Sequence, residues 1–225
     1  MTPPHTLVLP ERGDWRVRVV PNLYPALERQ EVVVHSRRHV RSFAELESEE
    51  IDLVAEAWRR RRQAQPAGYL HALINEGREA GASLPHSHSQ LAWLPAAPPP
   101  EPKLEGEVVL EQDGVVACSP RLARLPYELA IAPVEPEAAA FASQLLAPAL
   151  RLLSKLLRRL HELEGIVPLN VWLHDVGHWR VVLLPRLSIL AGLELGAGVY
   201  INTLPPEEAA DRLRKVGGRA AAAST

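Results

Sequence analysis

The chain has 225 residues, of which 47% are hydrophobic and 23% are charged, and its formal net charge is -2 at pH 7. This hydrophobic content is sufficient for one large core or two small ones, and it argues against intrinsic disorder. The near-neutral charge gives no reason to expect nucleic acid as a partner.

Cysteine content and hydropathy indicate the compartment. Cys118 is the only cysteine, so no internal disulfide and no cysteine-rich zinc cluster can form, which suits a reducing environment. The N-terminus Met1–His5 lacks the basic start and apolar stretch of a signal peptide. No apolar run approaches the roughly 20 residues that a membrane span needs. We therefore expect a cytoplasmic protein with no membrane partner.

Hydrophobic periodicity predicts four strands and one helix in the first half of the chain. Alternation of apolar residues predicts strands at 15–20, 31–35, 69–75 and 86–94. A capping box at Ser42–Glu45 precedes the helix. Its apolar residues recur at helical spacing, at Ile51, Val54, Ala55 and Trp58. Five prolines between Pro95 and Pro102 then indicate a semi-rigid linker.

The second half repeats this order. Strands are predicted at 107–111, 114–118, 127–132, 170–174 and 179–184, and a leucine-rich amphipathic helix at 141–163. The first two of these strands are expected to form a hairpin. The repetition indicates a duplicated α+β unit, with one unit over 1–96, a second over 103–216 and a flexible tail over 217–225. His178 stands seven residues before Pro185, as His88 stands before Pro95. The second unit is therefore interpreted as a degenerate copy that keeps the fold but not the nucleophile.

Candidate chemistry is concentrated between Asn75 and Gln90. His88 and Gln90 are two residues apart on a strand and share one face. A neutral imidazole is a good nucleophile toward phosphorus, so His88 is the predicted nucleophile, with a backbone carbonyl near His86 fixing its tautomer. Gly77 and Gly81 allow the backbone to approach a phosphate.

Charge that develops on the phosphoryl oxygens needs hydrogen-bond donors placed in advance. The side chains of Gln90 and Ser83 are candidates, together with backbone N–H groups near Gly81. A pair of histidines at this spacing also occurs at plain surfaces and in weak metal sites. The glycines, serine and glutamine around the pair favour phosphate chemistry instead.

The segment Asn75–Gln90 resembles the active-site signature of galactose-1-phosphate uridylyltransferases, a branch of the histidine-triad superfamily. That signature has an N-x-G stretch, an A-G-A-S-type turn and an H-P-H-G-Q motif. Other stretches that agree with the family lie at 19–27, 184–187, 191–202 and 205–210, the last continuing into a final helix. The resemblance implies an α+β fold of two tandem histidine-triad-like units, each an antiparallel sheet with a long helix.

The resemblance also implies roles for individual residues. His88 would carry UMP in a ping-pong exchange between UDP-glucose and galactose 1-phosphate, Gln90 would bind the phosphoryl oxygens, and His86 would belong to the catalytic set. Asn22 would lie beside the uridine. The phosphate and sugar site would be lined by Asn75, Gly77, Gly81, Ala82 and Ser83. Further candidates are Arg186 for phosphate and Glu194 for a sugar hydroxyl. The family implies a homodimer.

Departures from the family pattern bear on metals and acceptors. The Cys-x-x-Cys pair and N-terminal phosphate-binding arginines of the family are absent from this sequence, and Gln30 is interpreted as replacing a histidine ligand. We therefore predict no structural zinc and no required cofactor, and we expect His35 and His39 at the surface. Two alternatives stay open: a histidine-triad phosphorylase or hydrolase of nucleotide sugars or dinucleoside polyphosphates, and a nucleotide-binding protein without turnover.

Overall fold

The structure is a computed structural model that describes residues 5–222, with side chains described for residues 5–216. The strands in this range are β1 (Leu7–Leu9), β2 (Val17–Pro21), β3 (Gln30–Val34), β4 (Tyr69–Glu76), β5 (His88–Leu94), β6 (Gly106–Gln112), β7 (Val115–Pro120), β8 (Leu129–Pro133), β9 (Leu169–His174) and β10 (Arg180–Pro185). The α-helices are α1 (Ser48–Ala64), α2 (Leu146–Glu164), α3 (Gly192–Ala197) and α4 (Pro206–Ala222). Short 3₁₀ turns lie at Phe43–Glu45, Arg78–Ala80 and Ala140–Ala142.

These ten strands join one antiparallel sheet in the order β1-β2-β3-β5-β4-β9-β10-β8-β7-β6. The arrangement β2-β3-β5-β4 of the first half recurs as β7-β8-β10-β9 in the second half. The two halves meet where β4 pairs with β9. This duplication confirms the predicted α+β fold class with two similar units. Both units share one sheet, and the predicted boundaries at residues 96 and 103 stay a prediction.

Turn chemistry explains the hairpin that opens the second unit. Asp113 and Gly114 both have positive φ, at 51° and 81°. A two-residue turn of this kind matches the right-handed twist of the flanking strands, and Asp-Gly is a preferred sequence for it. The hairpin of β6 and β7 confirms the prediction made from residues 107–118.

The long helices pack together on one face of the sheet and leave the other face for chemistry. Helix α1 packs on α2, and α2 packs on α4 and on strands of the second unit. The predicted leucine-rich stripe is buried at Leu146, Ala149, Leu153, Leu156, Leu157 and Leu160, whereas Leu145, just before α2, is partly buried. Trp58 of α1 donates from Nε1 to Oγ of Ser89 at 2.9 Å, which marks the helix side of β5. Because side chains alternate along a strand, His88 and Gln90 lie on the opposite face.

Two helix boundaries differ from the predictions. Helix α2 begins at Leu146 rather than 141, because residues 140–142 form a 3₁₀ turn and the Ser143 hydroxyl accepts the Leu145 N–H at 3.0 Å. Helix α4 extends to Ala222, so most of the segment predicted as a flexible tail is helical, while residues 223–225 lie outside the described residues. None of the helices described is both long enough and apolar enough to cross a membrane.

Candidate active site

His88 is held by the backbone just before it. Its Nδ1–H donates to the carbonyl oxygen of His86 at 2.8 Å, as predicted, because a carbonyl can only accept. In a neutral ring this tautomer places the free lone pair on Nε2. Nε2 has no partner among the described residues and, unlike Nε2 of His35 and His174, is not among the enclosed atoms that lack one. The side chain is otherwise buried, with 4% of the residue exposed. His88 is therefore a rigid imidazole with one accessible nucleophilic atom.

Gln90 is oriented by a second glutamine that the sequence analysis assigned differently. Nε2 of Gln30 donates to Oε1 of Gln90, and Oε1 of Gln30 in turn accepts the backbone N–H of Ala26 at 2.9 Å. Since Oε1 of Gln90 is occupied, its NH₂ group is free to donate to a phosphoryl oxygen. Gln30 is thus a positioning residue for Gln90 in the structure. The register of β3 and β5 explains this contact. Gln30 lies opposite Ala92, two residues beyond Gln90, so Gln30 and Gln90 are diagonal neighbours on one face of the sheet.

The glycines of the Gly77–Ser83 loop are required by the backbone. Gly77 has φ 82° and Gly81 has φ 88°, a region that side chains disfavour. The Gly77 carbonyl accepts the N–H groups of Ala80 and Ala82, both at 3.1 Å, and the Gly81 N–H donates to the Arg78 carbonyl at 3.0 Å. The expectation that backbone N–H groups near Gly81 bind substrate is therefore wrong for Gly81 and Ala82, whose N–H groups close the loop. The Ser83 side chain, on an exposed residue, stays available.

A cleft of about 1020 Å³ opens beside this loop. The predicted site residues that line it are Asn75, Gly77, Ala82, Ser83 and His86. Charged residues of both signs also line it: two arginines, Arg41 and Arg78, and three glutamates, Glu45, Glu76 and Glu79. Residues 166–168 of the second unit complete the lining. The cleft can accommodate a group as large as a sugar phosphate. His88 and Gln90 do not line it; they lie next to it along β5.

His35 follows directly after β3 and supports β5, the strand that carries His88 and Gln90. His35 is fully buried, so the prediction that it lies at the surface is wrong. A hydrogen bond of 2.9 Å joins its Nδ1 to Oγ of Ser87. Burial holds the pKa of His35 well below its usual value, and nearby His88 and His86 lower it further. His35 is therefore a neutral supporting group beneath the reactive strand.

His86 does not have the surroundings of a zinc ligand. Its Nε2–H donates to the carbonyl of Ser36 at 3.0 Å. The ring of His39 lies beside it, with ring centroids 5.6 Å apart. Gln30, interpreted above as replacing a histidine ligand, is hydrogen-bonded to Gln90 instead. His39 is exposed, as predicted. Within residues 5–222, no group of three or more His, Cys, Asp or Glu side chains is placed to hold a metal ion. The described residues do not fit a four-ligand zinc site, and the lack of a required cofactor stays a prediction.

Three further candidates are Asn22, Glu194 and Arg186. The backbone N–H of Asn22 donates to the carbonyl of Gln30 at 2.9 Å, so Asn22 lies beside the residue that orients Gln90. Oδ1 of Asn22 accepts the N–H of Tyr24 at 3.1 Å in the loop after β2. Glu194 caps α3 by accepting the N–H of Ala191 at 2.9 Å, and this hydrogen bond lowers the pKa of its carboxyl. No hydrogen bond joins Asn22 or Glu194 to His88 in the part of the chain described. Arg186 is connected to the cleft region by a hydrogen bond that its Nη1 donates to Oδ1 of Asn170. Asn170 was not among the predicted site residues.

The second unit keeps a histidine at the predicted counterpart of His88 but not its surroundings. In that alignment His178 corresponds to His88 and Arg180 to Gln90. His178 is exposed and precedes β10, whereas His88 is buried and begins β5. The guanidinium of Arg180 donates from Nη2 to the Pro102 carbonyl at 2.7 Å and lies 3.5 Å from Glu101. An arginine cannot act as a nucleophile at phosphorus. These contacts agree with the interpretation of the second unit as a degenerate copy.

Comparison with known sequences identifies relatives with nucleotide chemistry. The family model for the N-terminal domain of galactose-1-phosphate uridyl transferase matches residues 25–98, a range that contains Gln30, His88 and Gln90. The ADP-glucose phosphorylase of Arabidopsis thaliana is 26% identical over 264 residues, covering 90% of this chain and 75% of that protein. The galactose-1-phosphate uridylyltransferase of Thermotoga maritima is 28% identical over 234 residues, covering 82% of this chain and 73% of that protein.

Comparison with solved structures supports the same architecture. The crystal structure of the Arabidopsis thaliana ADP-glucose phosphorylase with bound ADP-glucose superposes with a TM-score of 0.86. That superposition covers 95% of this chain and 86% of the other, at 24% identity. At this identity the likeness shows a common fold.

Proposed function

The chain belongs to the galactose-1-phosphate uridylyltransferase family, and on that premise we propose that it transfers a nucleoside monophosphate from a nucleotide sugar through His88. The observation that carries this proposal is the hydrogen bond from Nδ1–H of His88 to the His86 carbonyl, which leaves the Nε2 lone pair free. Attack on phosphorus requires an imidazole with an accessible lone pair, and a cleft that can hold a sugar phosphate lies next to His88 along β5.

The proposed reaction has two displacements at one phosphorus atom. The Nε2 lone pair of His88 attacks the α-phosphorus, an N–P bond forms, and the bond from phosphorus to the bridging oxygen breaks. Sugar 1-phosphate leaves with that electron pair. The nucleotidyl-imidazole is cationic, and its Nδ1–H stays bonded to the His86 carbonyl, which stabilises the charge. An oxygen of the acceptor then attacks phosphorus, and the N–P electron pair returns to His88.

Donors near His88 are suited to the charge that builds up on the non-bridging oxygens. The NH₂ group of Gln90 is free because Gln30 occupies its carbonyl oxygen. A fixed donor aimed at developing charge is worth about 3 kcal/mol of transition-state stabilisation where single donors have been removed from enzymes. Gln90 therefore has the proposed role of binding the phosphoryl oxygens in both steps, and Ser83 a similar role toward the sugar phosphate.

Two acceptors define two candidate reactions. The first is exchange of UMP between UDP-glucose and galactose 1-phosphate, the reaction that the sequence motifs favour. The second is phosphorolysis of ADP-glucose, in which inorganic phosphate captures the nucleotidyl group and ADP is released. The match over 90% of this chain to an ADP-glucose phosphorylase favours the second candidate. Arg41 and Arg78 are the guanidinium groups at the cleft that could bind a phosphate-bearing acceptor, although three glutamates line the same cleft.

We also propose a homodimer as the working form. The segment from Leu187 to Ile201 exposes several large apolar side chains, among them Ile189 at 92% and Leu195 at 73%. Exposed apolar side chains concentrated in one chain segment support an interface between proteins, because apolar surface left in water is unfavourable. Sedimentation of the purified chain tests this proposal, and a monomer at micromolar concentration contradicts it.

The covalent step is tested by intact mass measurement after incubation with UDP-glucose or ADP-glucose and no acceptor. The proposal expects a UMP or an AMP adduct on the wild-type chain. His88→Ala must abolish the adduct while nucleotide binding, measured by calorimetry, persists. His178→Ala is the matched control, because this exposed histidine of the second unit is predicted to leave the adduct unchanged.

The acceptor is identified by adding galactose 1-phosphate or inorganic phosphate to the isolated adduct. Release of UDP-galactose identifies the exchange reaction, and release of ADP by phosphate identifies phosphorolysis. Absence of both adduct and turnover with either nucleotide sugar contradicts the proposed chemistry. An adduct that persists in His88→Ala contradicts the role of His88.

A further inference from the structure

Asn170 lies at the junction of the two units, directly opposite Asn75 in the pairing of β9 with β4. Directly opposed residues of an antiparallel pair have Cβ atoms about 5 Å apart on one face of the sheet. Pro168, two residues earlier, approaches the loop so closely that a Cβ on Gly77 would lie 2.9 Å from its ring. The second unit therefore contacts the loop of the proposed active site at this point.

The hydrogen bonds of Asn170 fix its own orientation. Its Nδ2 donates to Oδ1 of Asn75 and to the Ala80 carbonyl, both at 2.8 Å. Nη1 of Arg186 donates to its Oδ1 at 3.2 Å. A carbonyl can only accept and a guanidinium can only donate, so the two ends of the Asn170 amide cannot be exchanged without losing these bonds.

The orientation of Asn170 in turn determines that of Asn75. Because Oδ1 of Asn75 accepts from Asn170, its NH₂ group points the other way, toward the loop. The atom nearest to a Cβ placed on Gly81 is Nδ2 of Asn75, at 3.7 Å. Asn75 also lines the cleft. Its donor side is thereby directed to the place where an anionic group of the substrate is proposed to bind.

We propose that Asn170, held by Arg186, is a positioning residue of the nucleotidyl transfer. It keeps the NH₂ group of Asn75, rather than its carbonyl oxygen, directed at the sugar phosphate of the nucleotide sugar. This inference rests on the proposed function. It gives the degenerate second unit a part in the reaction beyond completing the sheet.

The sharpest perturbation is Asn170→Asp, which preserves size but replaces the donor by an acceptor. The introduced carboxylate cannot donate to Asn75, so the Asn75 amide is expected to rotate and to present its carbonyl oxygen to the phosphate. The rate of adduct formation should fall by at least about tenfold, the equivalent of one to two net hydrogen bonds. Asn170→Ala removes the constraint on Asn75 without inverting it, so this variant should lower the rate of adduct formation less than Asn170→Asp does. Gln112→Glu on β6 adds the same charge far from the cleft and serves as the control.

Combining substitutions distinguishes the proposed positioning role of Asn170 from a purely structural role. If Asn170 acts through Asn75, then Asn170→Asp introduced into Asn75→Ala should cause little further loss of rate. Thermal melting of each variant reports on folding. Unchanged adduct rates in Asn170→Asp and Asn170→Ala, or fully additive losses with Asn75→Ala, contradict the positioning role.

A readout without catalysis distinguishes this inference from the proposed function. The side-chain NH₂ of Asn75, assigned in a nitrogen-15 NMR spectrum by its absence in Asn75→Ala, should shift in Asn170→Asp and on addition of ADP-glucose or UDP-glucose. Shifts without any adduct on the wild-type chain contradict the proposed function and support the positioning of Asn75. An NH₂ signal that is unchanged in Asn170→Asp contradicts the positioning itself.

Discussion

Gly77 is the position where a single added methyl group should be least tolerated. Its φ of 82° and ψ of 146° border a region of backbone conformation that is almost exclusive to glycine. A Cβ there would lie 2.9 Å from Cβ and 3.0 Å from Cα of Pro168. Since Cα of Pro168 belongs to the backbone just before β9, the conflict cannot be relieved by rotating a side chain.

The expected cost follows from two terms. Holding a non-glycine residue in such a conformation costs about 1–3 kcal/mol, and overpacking costs a further 1–3 kcal/mol or so. Gly77→Ala should therefore lower the free energy of unfolding by about 4 kcal/mol, which corresponds to a decrease in Tm of roughly 8–16 °C in a chain of this size. Gly81→Ala is the matched control, because its Cβ would meet only Nδ2 of Asn75 at an ordinary 3.7 Å. The left-handed backbone alone should cost it about 1–2 kcal/mol.

Thermal melting followed by circular dichroism compares the two variants at one pH and protein concentration. The same samples, incubated with nucleotide sugar below their Tm, report whether the adduct still forms. Gly77→Ala should melt lower than Gly81→Ala and should lose adduct formation, because the loop must move away from Pro168. Equal melting temperatures for the two variants would refute the argument from close approach.

Two further substitutions test the helix face of the sheet. Arg61→Leu should lower the free energy of unfolding by about 2 kcal/mol, because it removes two of the three hydrogen bonds that the buried Glu31 carboxylate accepts, at 2.8 and 2.9 Å, and leaves the one from Arg29 at 3.1 Å. Arg60→Leu, one residue earlier and more exposed, should lower it by less than about 1 kcal/mol, and similar losses in urea unfolding contradict this account. Burial raises the pKa of Glu76 to about 7 from 4.5, so the folded chain binds this proton more tightly than the unfolded chain. Its contribution to stability is full below pH 4.5 and is lost as the pH rises to about 7, by about 3 kcal/mol. Tm of Glu76→Gln should consequently decline less over that interval than Tm of the wild type, and parallel curves contradict the shift.

Local signals in the sequence were sufficient for most elements of the fold. Alternation located β2 to β10, and the hairpin of β6 and β7 was predicted from residues 107–118, because such signals depend on neighbouring residues alone. The short strand β1 was not predicted. The leucine stripe predicted the buried face of α2. Its first turn was placed too early, because apolar spacing does not reveal that residues 140–142 form a 3₁₀ turn.

Only the tertiary structure decided how the two units are joined. The repeat predicts two similar sheets, but not that β4 pairs with β9 to make one. That pairing brings Asn170 to Asn75 across 95 residues of sequence. Burial of His35 had the same origin, because a histidine followed by Ser36, Arg37 and Arg38 resembles a surface residue until the tertiary structure encloses it.

The proposed nucleophile and its tautomer were accessible from the sequence, because the carbonyl that fixes His88 lies two residues away on the same chain segment. The partner of Gln90 was not, because Gln30 approaches it through the register of two strands that are 60 residues apart. The sequence by itself thus determined the candidate reactive residues and the elements that carry them. The tertiary structure decided which side chains orient those residues, because hydrogen bonds between distant segments depend on strand order and register rather than on local spacing.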